Sequence, residues 1–306
     1  MKLVRYIIKR IVGALFVLFG ITIITFTLSN LITDPITATY GIHIKPEQRE
    51  LIKNQFGLND PLPLQFGRYV WNAIRGDLGN SYRTRTPVME SIIKVLPNTL
   101  LLAVAGLMAE ILISIPIGIL AALKKGSVLD RLILLVTLIG QTLPIFWWGL
   151  ILLYFFSFTL RWFPLGGSDQ PSSIILPALT IGAGGSIFYI RLIRNQVLEE
   201  INNDYIRTAQ AKGLSWQNVI NKHVLRNALL PVVTSLGLDL GGFLGGVVVI
   251  ESVYSWNGMG KLAASAFGNL DLPLVMGTVL VSAVCIVICN LFIDLIYPIL
   301  DPRIRL

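Results

Sequence analysis

Six stretches of the chain stay apolar for about twenty residues or more, at roughly residues 11–32, 98–123, 132–160, 174–193, 229–250 and 274–299. A helix needs about 20 mostly apolar residues to cross the core of a bilayer. Lipid offers a bare backbone no hydrogen-bond partner, so each run predicts a spanning α-helix. A membrane β-barrel would show segments of about ten residues that alternate apolar and polar, and these runs do not alternate. The pattern predicts an all-α, polytopic membrane protein with six transmembrane helices. The first run follows the basic segment from Met1 to Arg10. A signal peptide has a shorter apolar core and a small-residue cleavage site, whereas this run is long enough to span, so it predicts a retained first helix.

The polar positions between the runs set the orientation, because Lys and Arg collect in short cytoplasmic loops. Lys2, Arg5, Lys9 and Arg10 precede the first run, and Lys124, Lys125 and Arg131 separate the second from the third. Arg191, Arg194, Arg207, Lys212, Lys222 and Arg226 lie between the fourth and fifth, and Arg303 and Arg305 close the sequence. Six crossings put all of these on one side, while the opposite short loops hold only Arg161 and Lys261. Both N- and C-termini are therefore expected in the cytoplasm. Residues 1–32 form the cytoplasmic N-terminus and first helix. Residues 33–97 form an extracytoplasmic cap loop, and residues 98–306 form a core of five helices with a cytoplasmic loop at about 194–228. Residues 33–97 hold eight basic residues, but long loops escape the orientation rule.

Composition agrees. The chain is 54% hydrophobic and 14% charged, with a mean hydropathy of +0.71, whereas soluble domains carry about 25% charged residues. Part of its surface must be solvated by membrane lipid. The net charge of +8 follows the loops and shows no basic groove interleaved with aromatics, which excludes nucleic acid as a partner. Cys285 and Cys289, the two cysteines, share one helix face at i, i+4, and read as small apolar packing residues rather than a disulfide or metal site. His43 stands alone and reads as solvated. Within the cap, Pro46 followed by Glu47 predicts a helix start. Gly57 can end that helix, and a second short helix is expected over 65–74.

The segment from Arg194 to Arg226 is unusual for a loop between spans. Asp204 can cap a helix from Tyr205 to Lys212, Gly213 can end it in the left-handed conformation, and Ser215 can cap a second helix from Trp216. Ala209 and Ala211 keep the first helix thin enough to enter a partner's groove. Tyr205, Leu214 and Trp216 offer apolar anchors, and Arg207 and Lys212 offer charge. An interfacial amphipathic helix lying on the membrane fits the same residues.

Asp204-Tyr205-Ile206-Arg207-Thr208-Ala209-Gln210-Ala211-Lys212-Gly213-Leu214-Ser215, followed by His223-Val224-Leu225-Arg226-Asn227-Ala228-Leu229-Leu230-Pro231, resembles the coupling loop of binding-protein-dependent ABC importers. The resemblance is to the permease subunits of the oligopeptide/dipeptide/nickel branch. It extends over nearly the whole chain. Phe56-Gly57-Leu58-Asn59-Asp60-Pro61-Leu62-Pro63, Gly76-Asp77-Leu78-Gly79-Asn80-Ser81 and Pro87-Val88 look like that family's external loop. Glu251 to Gly260 looks like the connection between its last two spans, with Asn257 where a Pro is common. Asn290-Leu291-Phe292-Ile293-Asp294 and Asp301-Pro302-Arg303-Ile304-Arg305 match its C-terminal end. The resemblance implies a type I importer permease fold, in which Ala209 and Gly213 are the Ala and Gly of the motif that docks onto ATPase subunits. Arg207 replaces the acidic residue of the general motif, as is usual in this branch. Tyr205, Arg207, Ala209, Ala211, Lys212, Gly213 and Leu214 are the implied ATPase-coupling residues.

Further partners are implied: a homologous second permease, two ABC ATPase subunits that hold ATP and Mg, and an extracytoplasmic substrate-binding protein. The chain itself is expected to carry no cofactor and no enzymatic activity, since it has no phosphate-binding Gly-Lys-Ser/Thr loop. The implied location is a bacterial or archaeal inner membrane. Peptides are the first expectation for cargo, with nickel complexes or oligosaccharides as alternatives in the same machinery.

Ionisable residues inside spans are costly and default to function. Glu110 and Asp239 are candidates for the translocation path, against interhelical hydrogen bonding. Asp294 is expected to pair with a cytoplasmic-side Arg. An intramembrane aspartyl protease using Asp239 and Asp294 would need two carboxylates sharing a proton, and Asp239 lacks the expected Gly immediately before it. An ion-coupled carrier would work without an ATPase. Gly237, Gly241, Gly242, Gly245 and Gly246 predict a close helix contact, and Pro116, Pro144 and Pro177 predict kinks or breaks.

Overall fold

A computed structural model describes residues 2–32, 36, 45–56, 59–245 and 247–300. The described chain is helical, with no β-strand and one isolated antiparallel bridge between Asn80 and Pro87. The first apolar run becomes α1 (Lys2–Ile32), and two shorter helices follow, α2 (Pro46–Phe56) and α3 (Leu62–Ile74). The second run becomes α4 (Val88–Leu123) and the third α5 (Val128–Thr142) and α6 (Ile145–Leu152), which continues as a π-helical turn over Leu153–Thr159. The fourth becomes α7 (Ile175–Ile201), preceded by a 3₁₀ turn over Pro171–Ile174. Then come α8 (Asp204–Ala211), α9 (Trp216–Val219) and α10 (Leu225–Ala228), the last two joined through a π-helical turn over Ile220–Val224. The chain continues with α11 (Leu230–Leu244), α12 (Val248–Val253), α13 (Met259–Gly268) and α14 (Leu272–Leu300). His43, Gly57, Gly246 and the segment Asp301 to Arg305 lie outside the described residues.

Among the described residues, four helices are long and apolar enough to cross a membrane unbroken, and six spans result when each of two bent pairs counts as one. The differences from expectation lie at proline and at polar helix ends. Helix α4 starts ten residues before the apolar run. Its first turns bury Val88 and Ile92 completely, while Glu90 and Lys94 pair at 2.8 Å on the exposed face, so the amphipathic stretch simply prolongs the span. The third run is broken at Pro144, where α5 and the following helix diverge by 104°. Pro116, by contrast, sits inside unbroken α4. The fifth run bends by 47° just before Pro231 and its helix stops at Leu244, six residues before the expected end, with α12 as a separate helix.

Helices α4 and α7 form the centre of the bundle, and they approach through small residues. A Cβ on Gly182 would lie 2.5 Å from the Cβ of Ala109 and 2.9 Å from the backbone nitrogen of Glu110. Further along, Gly106 sits against Ile181 and Gly118 against Ile193 at comparably short range. On α4 the buried face carries Gly106, Glu110, Ser114, Gly118 and Ala121, whereas Leu101, Val104, Met108 and Leu112 point outward. Small residues inside and large apolar ones outside is the arrangement expected where lipid is as apolar as leucine and close backbone packing drives association. Gly182→Ala should destabilise the purified protein by about 1–3 kcal/mol, because the obstacle is backbone and the helices must separate. Thermal unfolding in detergent measures this, and an unchanged midpoint would contradict the close approach.

Helix α1 packs on α14, where Arg10 pairs with Asp294 at 3.1 Å, as the sequence predicted for Asp294. At the other end, the turn after α3 is pinned to the α13–α14 turn. Leu78 packs with Ile92, Met259 and Leu274. Buried Asp271 accepts hydrogen bonds from the Ser81 hydroxyl and from the Tyr82 backbone N–H at 3.0 Å.

Candidate functional site

The connection from α7 to α11 stands out because it is a built structure. Helix α8 carries Ile206 and Ala209 on one face. Both are buried, packed with Ile193, Val197, Val219 and Val224 of the helices before and after it. The opposite face carries Arg207, Thr208, Gln210, Ala211 and Lys212, all exposed. Gly213 adopts φ +82 and its N–H bonds to the Gln210 carbonyl at 2.9 Å, which ends the helix in the left-handed conformation that glycine allows at least cost. Beyond the turn, Leu214 is 42% and Trp216 46% exposed. The bare patch thus runs from Arg207 across the glycine turn to Trp216.

Three details differ from the sequence reading. Asn203, not Asp204, is the residue that precedes the helix, and its side chain makes no capping bond to α8. It donates instead to Glu200 at 3.0 Å. Ser215 occupies the cap position of α9 without a side-chain capping bond. Ala209 faces the chain's own bundle, so its small size lets α8 lie close to α7 and α9. Of the expected coupling residues, Arg207, Ala211, Lys212, Gly213 and Leu214 share the exposed surface. Tyr205 is exposed as well, but its hydroxyl turns back to Glu200 and Asn227.

The intramembrane carboxylates occupy different surroundings. Glu110 is fully buried against Gly185, where a Cβ would come within 1.8 Å of its Oε1. Neither its carboxyl oxygens nor the hydroxyl of Ser114, one turn on, has a hydrogen-bond partner among the described residues. Asp239 is half-buried on α11 and accepts a 2.6 Å hydrogen bond from the Tyr189 hydroxyl of α7. Asp239 and Asp294 have separate partners, Tyr189 and Arg10, which leaves no shared-proton dyad of the kind an aspartyl protease needs. Among the described residues no three His, Cys, Asp or Glu side chains converge on a metal-sized site.

Three buried acidic residues escaped the sequence reading: Asp271, described above, Asp130 and Glu251. Asp130 receives a two-pronged hydrogen bond from Arg194, at 2.7 and 2.8 Å. The spacing Ser127-x-x-Asp130 was a legible signal, a capping pattern at the start of a helix. Ser127 indeed accepts from the Asp130 N–H at 3.2 Å, and Asp130 accepts from the Gly126 N–H at 2.9 Å. Glu251 is fully buried. It accepts from the Thr99 hydroxyl at 2.9 Å and from the Lys261 N–H at 2.8 Å. Its signal was the close run of Gly258 and Gly260, both of which abut the carboxylate.

Comparison with known proteins accounts for this architecture. The family described as "Binding-protein-dependent transport system inner membrane component" matches residues 114–306, and the N-terminal component of such systems matches residues 3–103. The chain is similar to the oligopeptide transport system permease protein AppB of Bacillus subtilis, 40% identical over 98% of this chain and 99% of that protein. It is 34% identical to the dipeptide transport system permease protein DppB of Escherichia coli, over 99% of each. Among solved structures, an inward-facing MetNI methionine ABC transporter superposes with a TM-score of 0.56 at 18% identity. That match covers 70% of this chain and 97% of the other, a likeness of fold. The chain belongs to the family of binding-protein-dependent transport system inner membrane components.

Proposed function

We propose that the chain is the permease subunit of an ATP-binding cassette importer that moves peptides across the inner membrane. The observation that carries this reading is α8. A short helix is held on the bundle by one face and left bare, with two cations and flanking Leu214 and Trp216, on the other. A helix presented in this way suits insertion into a groove on a partner. The names of the relatives AppB and DppB support peptides as the cargo.

In this reading a binding protein delivers peptide to the side opposite α8, and a homologous permease completes the pathway. Two ATPase subunits hold ATP and Mg, and they close on nucleotide. Their closure moves the Arg207–Leu214 surface and exchanges outward for inward access. Asp239, which is half-buried, is the better placed of the two path candidates, while Glu110 is sealed between α4 and α7. Asp239→Asn should reduce uptake at least about tenfold, or roughly 1.4 kcal/mol, with ATPase retention intact. Undiminished uptake would remove it from the path.

The test of the reading is retention of the ATPases. Reversing charge at both Arg207 and Lys212 to Glu should cut co-purification of the ATPase subunits at least about tenfold without lowering the yield of the chain. A cysteine placed at Lys212 should react with an impermeant thiol reagent only from the cytoplasmic side. Labelling from outside the cell, or wild-type retention by the charge-reversed variant, would contradict the assignment.

A further inference from the structure

We infer that Tyr205 is a positioning residue that rivets α8 to both membrane spans flanking it, so that a push on α8 reaches the two spans together. This deepens the importer reading above and rests on it. The Tyr205 hydroxyl donates to the carboxylate of Glu200 in the last turn of α7 and accepts a 2.9 Å hydrogen bond from Nδ2 of Asn227 in α10. Asn203 Nδ2 donates to the same Glu200 oxygen at 3.0 Å. One phenol therefore ties together the end of one span, the first turn of α8 and the entry to the next span, across 27 residues of sequence from Glu200 to Asn227.

The rest of the α8 contact is of a different kind. Ile206 and Ala209 hold the helix through apolar burial, which is not directional. The two connections are short bends, Asn202–Asn203 and Lys212–Ser215, the second with Gly213 at φ +82. Apolar contact between two bends lets a helix rock, whereas a hydrogen bond to a carboxylate is directional and among the stronger kinds. The aim of Asn227 is set by the π-helical turn at Ile220–Val224. The residue it inserts rotates every later side chain by about 100° relative to an uninterrupted α-helix. Partial burial and the adjacent Glu200 carboxylate push the Tyr205 hydroxyl above the ordinary phenol range, which keeps it protonated and donating at physiological pH. The hydroxyl points away from the bare Arg207–Lys212 face, so its work lies inside the chain rather than at a partner surface.

The test uses the full complex, with permeases, ATPases and binding protein, in proteoliposomes and with radiolabelled trialanine as cargo. Tyr205→Phe keeps the ring and removes the hydroxyl, and Asn227→Ala removes the other side of the bridge without touching α8. Both variants should retain ATPase subunits at wild-type stoichiometry and hydrolyse ATP within about twofold of wild type. Peptide moved per ATP should fall at least about fivefold, equivalent to roughly 1 kcal/mol. Unchanged coupling in both variants would overturn the inference. So would loss of the ATPase subunits in step with uptake, which would make Tyr205 a docking residue. If the wild-type chain itself retains no ATPase, the importer reading fails first and the rivet falls with it.

Discussion

Arg194→Ala is expected to destabilise the bundle by about 3–5 kcal/mol, the cost of stranding one member of a buried ion pair. The Arg194 side chain is 15% exposed and that of Asp130 3%, so the carboxylate is shielded from water while the guanidinium is only partly so. The two parallel bonds from Arg194, at 2.7 and 2.8 Å, use the planar fork that only arginine offers. They clamp the first turn of α5 to the C-terminal part of α7, about two turns from its end. Once the guanidinium is gone, the carboxylate keeps the Gly126 N–H and only the more distant charge of Lys125. Arg194→Lys should fall between wild type and Arg194→Ala, because charge survives and the fork does not. The double variant Asp130→Ala with Arg194→Ala should recover part of the loss, since no buried charge remains. Thermal or denaturant unfolding in detergent distinguishes these cases. A change below about 1 kcal/mol for Arg194→Ala would put the pair in the class of exposed bridges.

Glu251→Ala is expected to cost a similar amount, on the order of 3–5 kcal/mol. The carboxylate is the acceptor at the centre of a short chain of bonds. The Met259 N–H donates to Thr99 Oγ1 at 2.7 Å, and Thr99 donates on to Glu251 at 2.9 Å, while the Lys261 N–H reaches the other carboxylate oxygen at 2.8 Å. These tie the α12–α13 turn to α4. Each hydrogen bond to a charged group contributes roughly 1.5–3 kcal/mol, and the orphaned donors add desolvation cost. Thr99→Val, which removes one link, should cost less, about 1–2 kcal/mol. A Glu251→Ala variant as stable as wild type would show that the turn is held by Trp256 and Tyr254 alone. Trp256 donates to the Asn98 carbonyl at 3.1 Å and Tyr254 to the Gly149 carbonyl at 2.9 Å.

The sequence foretold things that depend on near neighbours in the chain. Twenty-residue apolar runs demanded helices because lipid satisfies no backbone group, and α1, α4, α7 and α14 follow from that alone. The glycine stop at Gly213 and the short helix before it are equally local. So is the coupling-loop pattern that pointed to the family. Where local rules met a tie, the reading slipped. Pro116 and Pro144 look alike in sequence, yet one sits inside a continuous helix and the other turns the chain by 104°.

What only the tertiary structure decided is which polar side chains meet. Asp130 and Arg194 are 64 residues apart, Thr99 and Glu251 152, and Tyr189 and Asp239 50. Spacing along one helix says nothing about partners on another. The same holds for the inward aim of Ala209. A small residue on a short helix suits a partner's groove or the chain's own bundle equally, and the packing of Ile193, Val197 and Val219 around it resolves which. The apolar pattern determines that the chain crosses the membrane and where, because the solvent acts on each segment by itself. The pairing of buried charges emerges only when helices distant in sequence lie side by side, because a hydrogen bond needs both its atoms within about 3 Å.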